Sequence, residues 1–205
     1  MALRAGILRV RRSQWWLLAT LLLVVGMAHA ARPHGAVVEL DSARSDAQFR
    51  VKAMWLIGIH GYFGSVRGSV EIDRFRNQAV VDARIDADNV RMNVGGYEDW
   101  VKSPEFFDAF AHPEIRFVSE PFPLQRLHNG GELPGTLTLR GVSQPVRFTL
   151  DAATCADPGY DCAIVAKGTI SRSPFGMRSR LGALSDKVQL SLGVYAKPAA
   201  TRLSP

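Results

Sequence analysis

The chain has 205 residues, 47% of them hydrophobic, with 25 Lys and Arg against 19 Asp and Glu, a net charge of +6. That length suits one domain with a sizeable core. The excess charge does not cluster, since Arg74/Arg76 and Arg178/Arg180 are only pairs, which excludes the basic face that nucleic acid requires.

The N-terminus reads first. Arg4, Arg9, Arg11 and Arg12 form a positive segment, and no acidic residue precedes Glu39. The apolar run from Trp15 to Ala28 follows; its length falls short of the roughly 20 residues that span a hydrocarbon core. Ala28-His29-Ala30 is a small-x-small pattern, so cleavage is expected between Ala30 and Ala31, with an uncleaved anchor as the rival reading. Gln14 stands where a twin-arginine signal wants a bulky apolar residue, which favours the general secretory route. Residues 1–30 are therefore expected to be a signal peptide, 31–200 the working domain and 201–205 a tail. Four of the 25 basic residues and no acidic one precede Ala31, which leaves 21 against 19, a net +2.

From Val37 onward apolar and polar residues alternate by twos, the signature of strands with one buried face. Val37–Leu40 comes first, then Phe49/Val51/Ala53, Val66/Gly68/Val70/Ile72 and Val81/Ala83/Ile85/Ala87. Between Tyr97 and Ala111 the pattern turns helical, with Ser103 as the expected N-cap, Pro104 at the first position and Phe106, Phe107 and Phe110 on one face. Ile115/Phe117, Leu133/Gly135/Leu137/Leu139 and Val146/Phe148/Leu150 resume the alternation, and Ile164/Ala166/Gly168/Ile170 and Val188/Leu190/Leu192/Val194 complete it. Short links such as Arg140-Gly141-Val142-Ser143 favour antiparallel neighbours. Cys155 and Cys162 bracket a Pro158-Gly159 turn, which reads as a disulfide-closed hairpin. Eight or nine antiparallel strands close into a barrel or stack as a sandwich, and periodicity leaves both open. The small inward residues Gly68, Ala83, Ala87, Gly135, Ala166 and Gly168 are expected to leave a cavity.

No catalytic constellation stands out. His34, His60, His112 and His128 are scattered, none at metal-ligand spacing, and neither a nucleophile elbow nor a phosphate or dinucleotide loop is present. Trp55, Tyr62, Phe63, Trp100, Phe106, Phe107 and Phe175 instead suggest the lining of an apolar ligand site.

Three segments carry a family resemblance. Gly135-Thr136-Leu137-Thr138-Leu139-Arg140-Gly141-Val142-Ser143-Gln144-Pro145-Val146 resembles the central signature of the YceI-like family. Ser103-Pro104-Glu105-Phe106-Phe107-Asp108 with His112-Pro113-Glu114-Ile115-Arg116-Phe117, and Ile170-Ser171-Arg172-Ser173-Pro174-Phe175-Gly176-Met177, resemble two further stretches of it in the same order. The resemblance implies an all-β fold, an extended eight-stranded antiparallel lipocalin-like barrel with one short helix near its mouth. It also implies periplasmic location and a lumen that binds a polyisoprenoid lipid or isoprenoid quinone, with no cofactor, no metal and no catalytic residue carried over. The expected ligand contacts are Phe49, Val51, Ala53, Phe63, Val70, Ile72, Trp100, Phe106, Phe107, Phe117, Leu137, Phe148 and Phe175. Ala53 and Trp100 stand where family members often carry histidine, and the cysteine hairpin is not a general family feature. A hydrolase acting on a lipid-like amide or ester through His60 or His112, and a non-binding stress-related barrel, are the alternative functions. Transient membrane contact and a homodimer are left open as partners.

Overall fold

Alternation by twos dictates the architecture, because each strand must bury one face and expose the other. A computed structural model describes residues 35–198. The expected signal peptide 1–30, the Ala30/Ala31 cleavage point and the tail 201–205 lie outside the described residues. Twelve strands form one sheet: β1 Ala36–Glu39, β2 Asp46–Ala53, β3 Ile57–Phe63, β4 Arg67–Asp73, β5 Gln78–Asp86, β6 Val90–Met92, β7 Glu114–Ser119, β8 Phe122–Pro123, β9 Gly131–Leu139, β10 Val142–Leu150, β11 Ile164–Ser171 and β12 Leu184–Val194. Every pairing between strands is antiparallel, in the order β1-β4-β5-β7-β9-β10-β11-β12-β2-β3-β6, with β8 beside β5.

This sheet is the expected antiparallel barrel, with three strands more than the nine alternating segments and so more than the eight that the family resemblance implied. The additions are β3, β6 and β8. In β3 the alternation is present but hidden, because Gly58 and Gly61 supply no side chain to read. The other two have only three and two residues. The edges of the sheet are tied in two ways. Leu40 bridges Ala196, flanked by hydrogen bonds from Asp41 N to Tyr195 O (2.8 Å) and from Lys197 N to Glu39 O (2.8 Å). At the other edge, β6 is reached from β5 by a single 3-10 turn, Ala87–Asn89. Neither edge is left as a long free ladder, the usual hazard of an open sheet.

The helical expectation for 97–111 is corrected. The helix, α1, spans Glu98–Lys102, and Ser103 caps its C-terminus instead of starting a second helix. Pro104 disfavours helical geometry in the residue before it, and Ser103 adopts extended backbone at ψ 166. Residues beyond it form turns that project Phe110 fully into solvent. A second short helix, α2, spans Arg126–Asn129.

Inside the barrel, glycines face aromatic rings. Gly61 pairs with Phe49 across β2 and β3, and Gly168 pairs with Phe148 across β10 and β11. Gly135 lies diagonal to Phe117 across β7 and β9. A Cβ at Gly168 would stand 2.6 Å from Phe148 Cδ1, and one at Gly135 would stand 2.6 Å from Phe117 Cε2. The expectation that Gly135 and Gly168 leave space unfilled is therefore reversed: each is the seat of a ring. Phe117 and Phe148 then meet edge to face with centroids 4.9 Å apart, an arrangement worth about 0.5–1.5 kcal/mol beyond burial.

Two devices stabilise the shell from outside. Cys155 and Cys162 are disulfide-bonded, and closing so short a loop contributes roughly 2–3 kcal/mol on the chain-entropy estimate. Asp82 on β5 accepts Nε (2.9 Å) and Nη2 (2.8 Å) of Arg116 on β7, and also Nη2 of Arg84 (3.0 Å). The Arg116 hydrogen bonds, against the opposing effect of burial, hold the Asp82 carboxyl well below the usual range.

Two predictions result. Gly168→Val will destabilise the barrel by about 1–3 kcal/mol, read as a lowered denaturation midpoint, because the ring of Phe148 must move. Because folding lowers the Asp82 pKa, its stabilising contribution is complete above the unfolded value of 3.8 and is lost as pH falls through the folded one. Thermal melts between about pH 5 and pH 2 will show a steeper acid loss for the native protein than for Asp82→Asn.

Candidate ligand-binding site

Inward side chains of the barrel strands converge on two compartments. The first has a volume of about 120 Å³ and an almost wholly apolar wall. Phe49, Phe63 and Phe107 form a triangle in it, with centroids 5.7 to 6.0 Å apart. Phe107 reaches this position from the loop after α1, which is fixed by bonds from Phe107 N to Val101 O (3.0 Å) and Asp108 N to Ser103 O (2.9 Å). Arg140 Nη1 adds a bond to Phe106 O at 2.8 Å.

The mouth of this compartment is clamped by a polar relay. Trp100 Nε1 donates to Glu105 Oε2 at 2.7 Å, and Glu105 Oε1 accepts from Arg180 Nε at 2.9 Å. Trp100 packs edge-on to Phe106 at 4.5 Å, and the Arg180 guanidinium lies 5.2 Å from the Trp100 ring centroid. The Trp100 hydrogen bond, with Arg180 assisting against desolvation, holds the Glu105 carboxyl below its ordinary range. The clamp therefore joins α1, the loop after it and the β11–β12 loop through one carboxylate.

Arg172 is the charged residue in the wall of the first compartment. It is 3% exposed. Its guanidinium donates to Met177 O (2.7 Å), Ser185 O (3.0 Å) and Leu184 O (3.2 Å), so each of its three nitrogens bonds a backbone carbonyl. Desolvation lowers its pKa from the arginine value, and an arginine remains charged regardless. It braces the loop that carries Met177 and Leu184.

The second compartment, of about 620 Å³, opens at the other end of the strands. Val70, Phe122, Leu133 and Leu150 line its depth, with Arg74, Asn77, Gln125, His128, Asp157 and Tyr160 at its rim. The disulfide hairpin forms one side, held by Ala196 N to Gly159 O (2.8 Å) and Arg44 Nη2 to Tyr160 O (3.2 Å). Phe117, Phe148, Ala83 and Leu192 line both compartments, and the edge-to-face ring pair is the bulk of the partition between them.

The sequence-predicted contacts divide accordingly. Phe49, Val51, Phe63, Trp100, Phe106, Phe107, Phe117, Leu137 and Phe148 line the first compartment. Val70 and Ile72 line the second. Ala53 and Phe175 line neither: Ala53 closes the β2–β3 hairpin opposite Ile57, and Phe175 ends a 3-10 turn, Ser173–Phe175, with its ring buried in the core. Trp55 and Tyr62, expected among the lining aromatics, face solvent. Ile59, Met92, Val188 and Leu190 are among the further residues of the first wall. Ile59 was recoverable from the alternation in β3, whereas the inward, carbonyl-bound Arg172 carries no signal in its sequence. His60 lies outside on β3 beside Arg50, and His112 packs over Gly141 with Nε2 4.0 Å from Asp108. Among the described residues no group of three His, Cys, Asp or Glu is placed to hold a metal.

An antiparallel barrel wrapped around an apolar lumen, with its polar groups turned to backbone or rim, defines a protein of lipocalin-like architecture. The chain belongs to the YceI-like domain family, whose family model matches residues 39–196. A UPF0312 protein of Pectobacterium carotovorum is 28% identical over 185 residues, 86% of this chain and 94% of the relative. Protein YceI of Salmonella arizonae is 27% identical over 183 residues, 86% and 92% of the two chains. Among solved structures, Burkholderia cenocepacia BcnA superposes with a TM-score of 0.61 at 23% identity, over 76% of this chain and 98% of that one. A polyisoprenoid binding domain from Saccharophagus degradans, implicated in plant cell wall breakdown, gives 0.60 at 13% identity, over 81% and 100%. At these identities the superpositions speak for the fold.

The clamp generates a prediction. Glu105 is ionised above its ordinary pKa, and the clamp is lost as pH falls through its lowered folded value. Trp100 emission will therefore change on acidification, and Glu105→Gln will remove that transition while the barrel stays folded by circular dichroism.

Proposed function

We propose that this protein is an exported lipid-binding protein that holds a polyisoprenoid or isoprenoid-quinone-like chain in its lumen without chemical conversion. The observation that carries the reading is the first compartment's wall, in which aromatic and aliphatic side chains surround the space and the buried arginine is spent on carbonyls. What such a wall chiefly offers a ligand is apolar area. Each buried methylene contributes up to about 0.8 kcal/mol, so several isoprene units outweigh the cost of ordering a flexible chain.

The volumes favour a ligand that uses both compartments. Small-molecule sites commonly enclose roughly 300–1,000 Å³, a range that includes the second compartment at about 620 Å³ but not the first at about 120 Å³. A long chain seated in the second compartment reaches the first by displacing the Phe117–Phe148 pair, and the polar rim around Arg74, Asn77 and His128 suits a head group. A polyisoprenoid-binding fold neighbour supports the ligand class. The N-terminal signal pattern and the Cys155–Cys162 disulfide support export to the periplasm, an oxidising compartment where such bonds persist.

The test is lipid mass spectrometry of the protein as isolated, followed by titration of delipidated protein with an isoprenoid quinone. A co-purifying prenyl lipid and saturable binding are expected. Val51→Trp, which fills the first compartment from β2, will weaken binding by about tenfold or more. Protein that is empty as isolated and ignores added quinone would refute the reading.

A further inference from the structure

The turn joining β2 to β3 sets large apolar residues in backbone that they disfavour. Its central residues are Met54 and Trp55, with φ of 48° and 64°, and Leu56 N closes the turn on Ala53 O at 3.1 Å. Positive φ at both central positions is the tight hairpin geometry that ordinarily selects Asn-Gly. Met and Trp are unfavourable there, as side chains resist the left-handed region. Nor does burial explain them, for Met54 is 63% exposed, Trp55 75%, Leu56 90% and Ile57 62%. Four consecutive large apolar residues thus project into solvent from a turn whose conformation two of them disfavour. Backbone strain of this kind, held at an exposed tip, points to a function for the side chains.

The surroundings identify a partner. Residues 47–70 contain no Asp or Glu, and carry Arg50, Lys52, His60 and Arg67. Arg50 leans toward the tip, its Nε 3.0 Å from where a Cβ at Gly58 would stand. Beside the turn lies the β11–β12 loop, joined to it by Met54 N to Ala183 O at 2.7 Å. That loop adds Leu181, 42% exposed, together with Arg178 and Arg180, and residues 172–185 likewise contain no acid. The carboxylates at this end are on neighbouring elements: Glu105 is paired to Arg180, Glu98 accepts Met92 N, Asp186 accepts Ser173 N, and Asp99 lies on α1. Arg50, Lys52 and Arg178 form no salt bridge among the described residues.

We propose that the Met54–Ile57 turn is a membrane-docking element that inserts Trp55 and Leu56 into the interfacial zone of an anionic bilayer. Arg50, Lys52 and Arg178 then meet the head groups. A projecting four-residue tip is too small for a stable protein interface, which takes about 800 Å² per partner. It suits the lipid–water boundary, where tryptophan concentrates and where each nearby cation adds attraction to acidic lipid. The turn extends strands whose Val51 and Ile59 line the first compartment, so docking sets that end of the barrel against the membrane. The proposal stands independently of what the lumen holds.

Co-sedimentation of the purified protein with phosphatidylcholine vesicles, with and without phosphatidylglycerol, tests it. Binding is expected only with phosphatidylglycerol present, and it will weaken as salt rises. Met54→Asn with Trp55→Gly supplies the residues the turn geometry favours, so this variant will melt higher than the native protein while its vesicle affinity falls by about tenfold or more. Lys52→Glu will weaken binding without touching the turn. Running each assay on delipidated and quinone-loaded protein keeps the outcome separate from lumen binding. Absence of binding to acidic vesicles, unchanged affinity in the turn variant, or a concentration-dependent dimer abolished by that variant without any vesicle binding would each overturn the proposal.

Discussion

Rings seated over glycines govern this barrel. Phe49 covers Gly61, Phe117 covers Gly135 and Phe148 covers Gly168, each pair spanning two neighbouring strands. A β-strand side chain stands roughly perpendicular to its sheet, and a bare backbone opposite allows an aromatic ring to lie down across it. Three consequences follow from that geometry. The lumen is narrowed without a plug, the register of each strand pair is pinned because a one-residue slip removes the seat, and the space that remains is divided where Phe117 and Phe148 meet.

The same constraint explains why the ligand cavity is apolar and shallow at one end. With rings occupying the glycine positions, polar residues can enter the interior only where backbone can absorb them. Arg172 does so by giving its donors to three carbonyls. Elsewhere charge is moved to the shell, as in the Asp82–Arg116–Arg84 cluster, or to the ends, as in the Trp100–Glu105–Arg180 clamp and the rim of the second compartment. Affinity in such a lumen comes from area, and selectivity from width and from the two ends.

Those two ends differ physically. One is flanked by a disulfide-bonded hairpin and ringed with mixed polar groups. The other ends in an acid-free, apolar turn held in left-handed backbone. Under the proposed docking, the apolar end meets the bilayer while the polar-ringed end remains in water.

Period-two alternation alone determined nine of the strands and the inward set that includes Phe49, Phe117, Leu137 and Phe148, because burial of one face forces that pattern whatever the topology. Cys155 and Cys162 around a Pro-Gly turn were likewise sufficient for the disulfide, and the motif segments for the family. Tertiary structure decided the rest. Strand β3 alternates, but Gly58 and Gly61 obscure the pattern, and β6 and β8 are too short to carry one. The small residues could have meant empty volume or close approach, and only the register across strands shows that Gly135 and Gly168 are occupied by rings. Helix α1 ends at Ser103, not beyond it, because Pro104 competes with the capping signal that Ser103 also carries. The exposed Met54–Ile57 turn was illegible for the same reason: an apolar run reads as core until the fold places it at a tip.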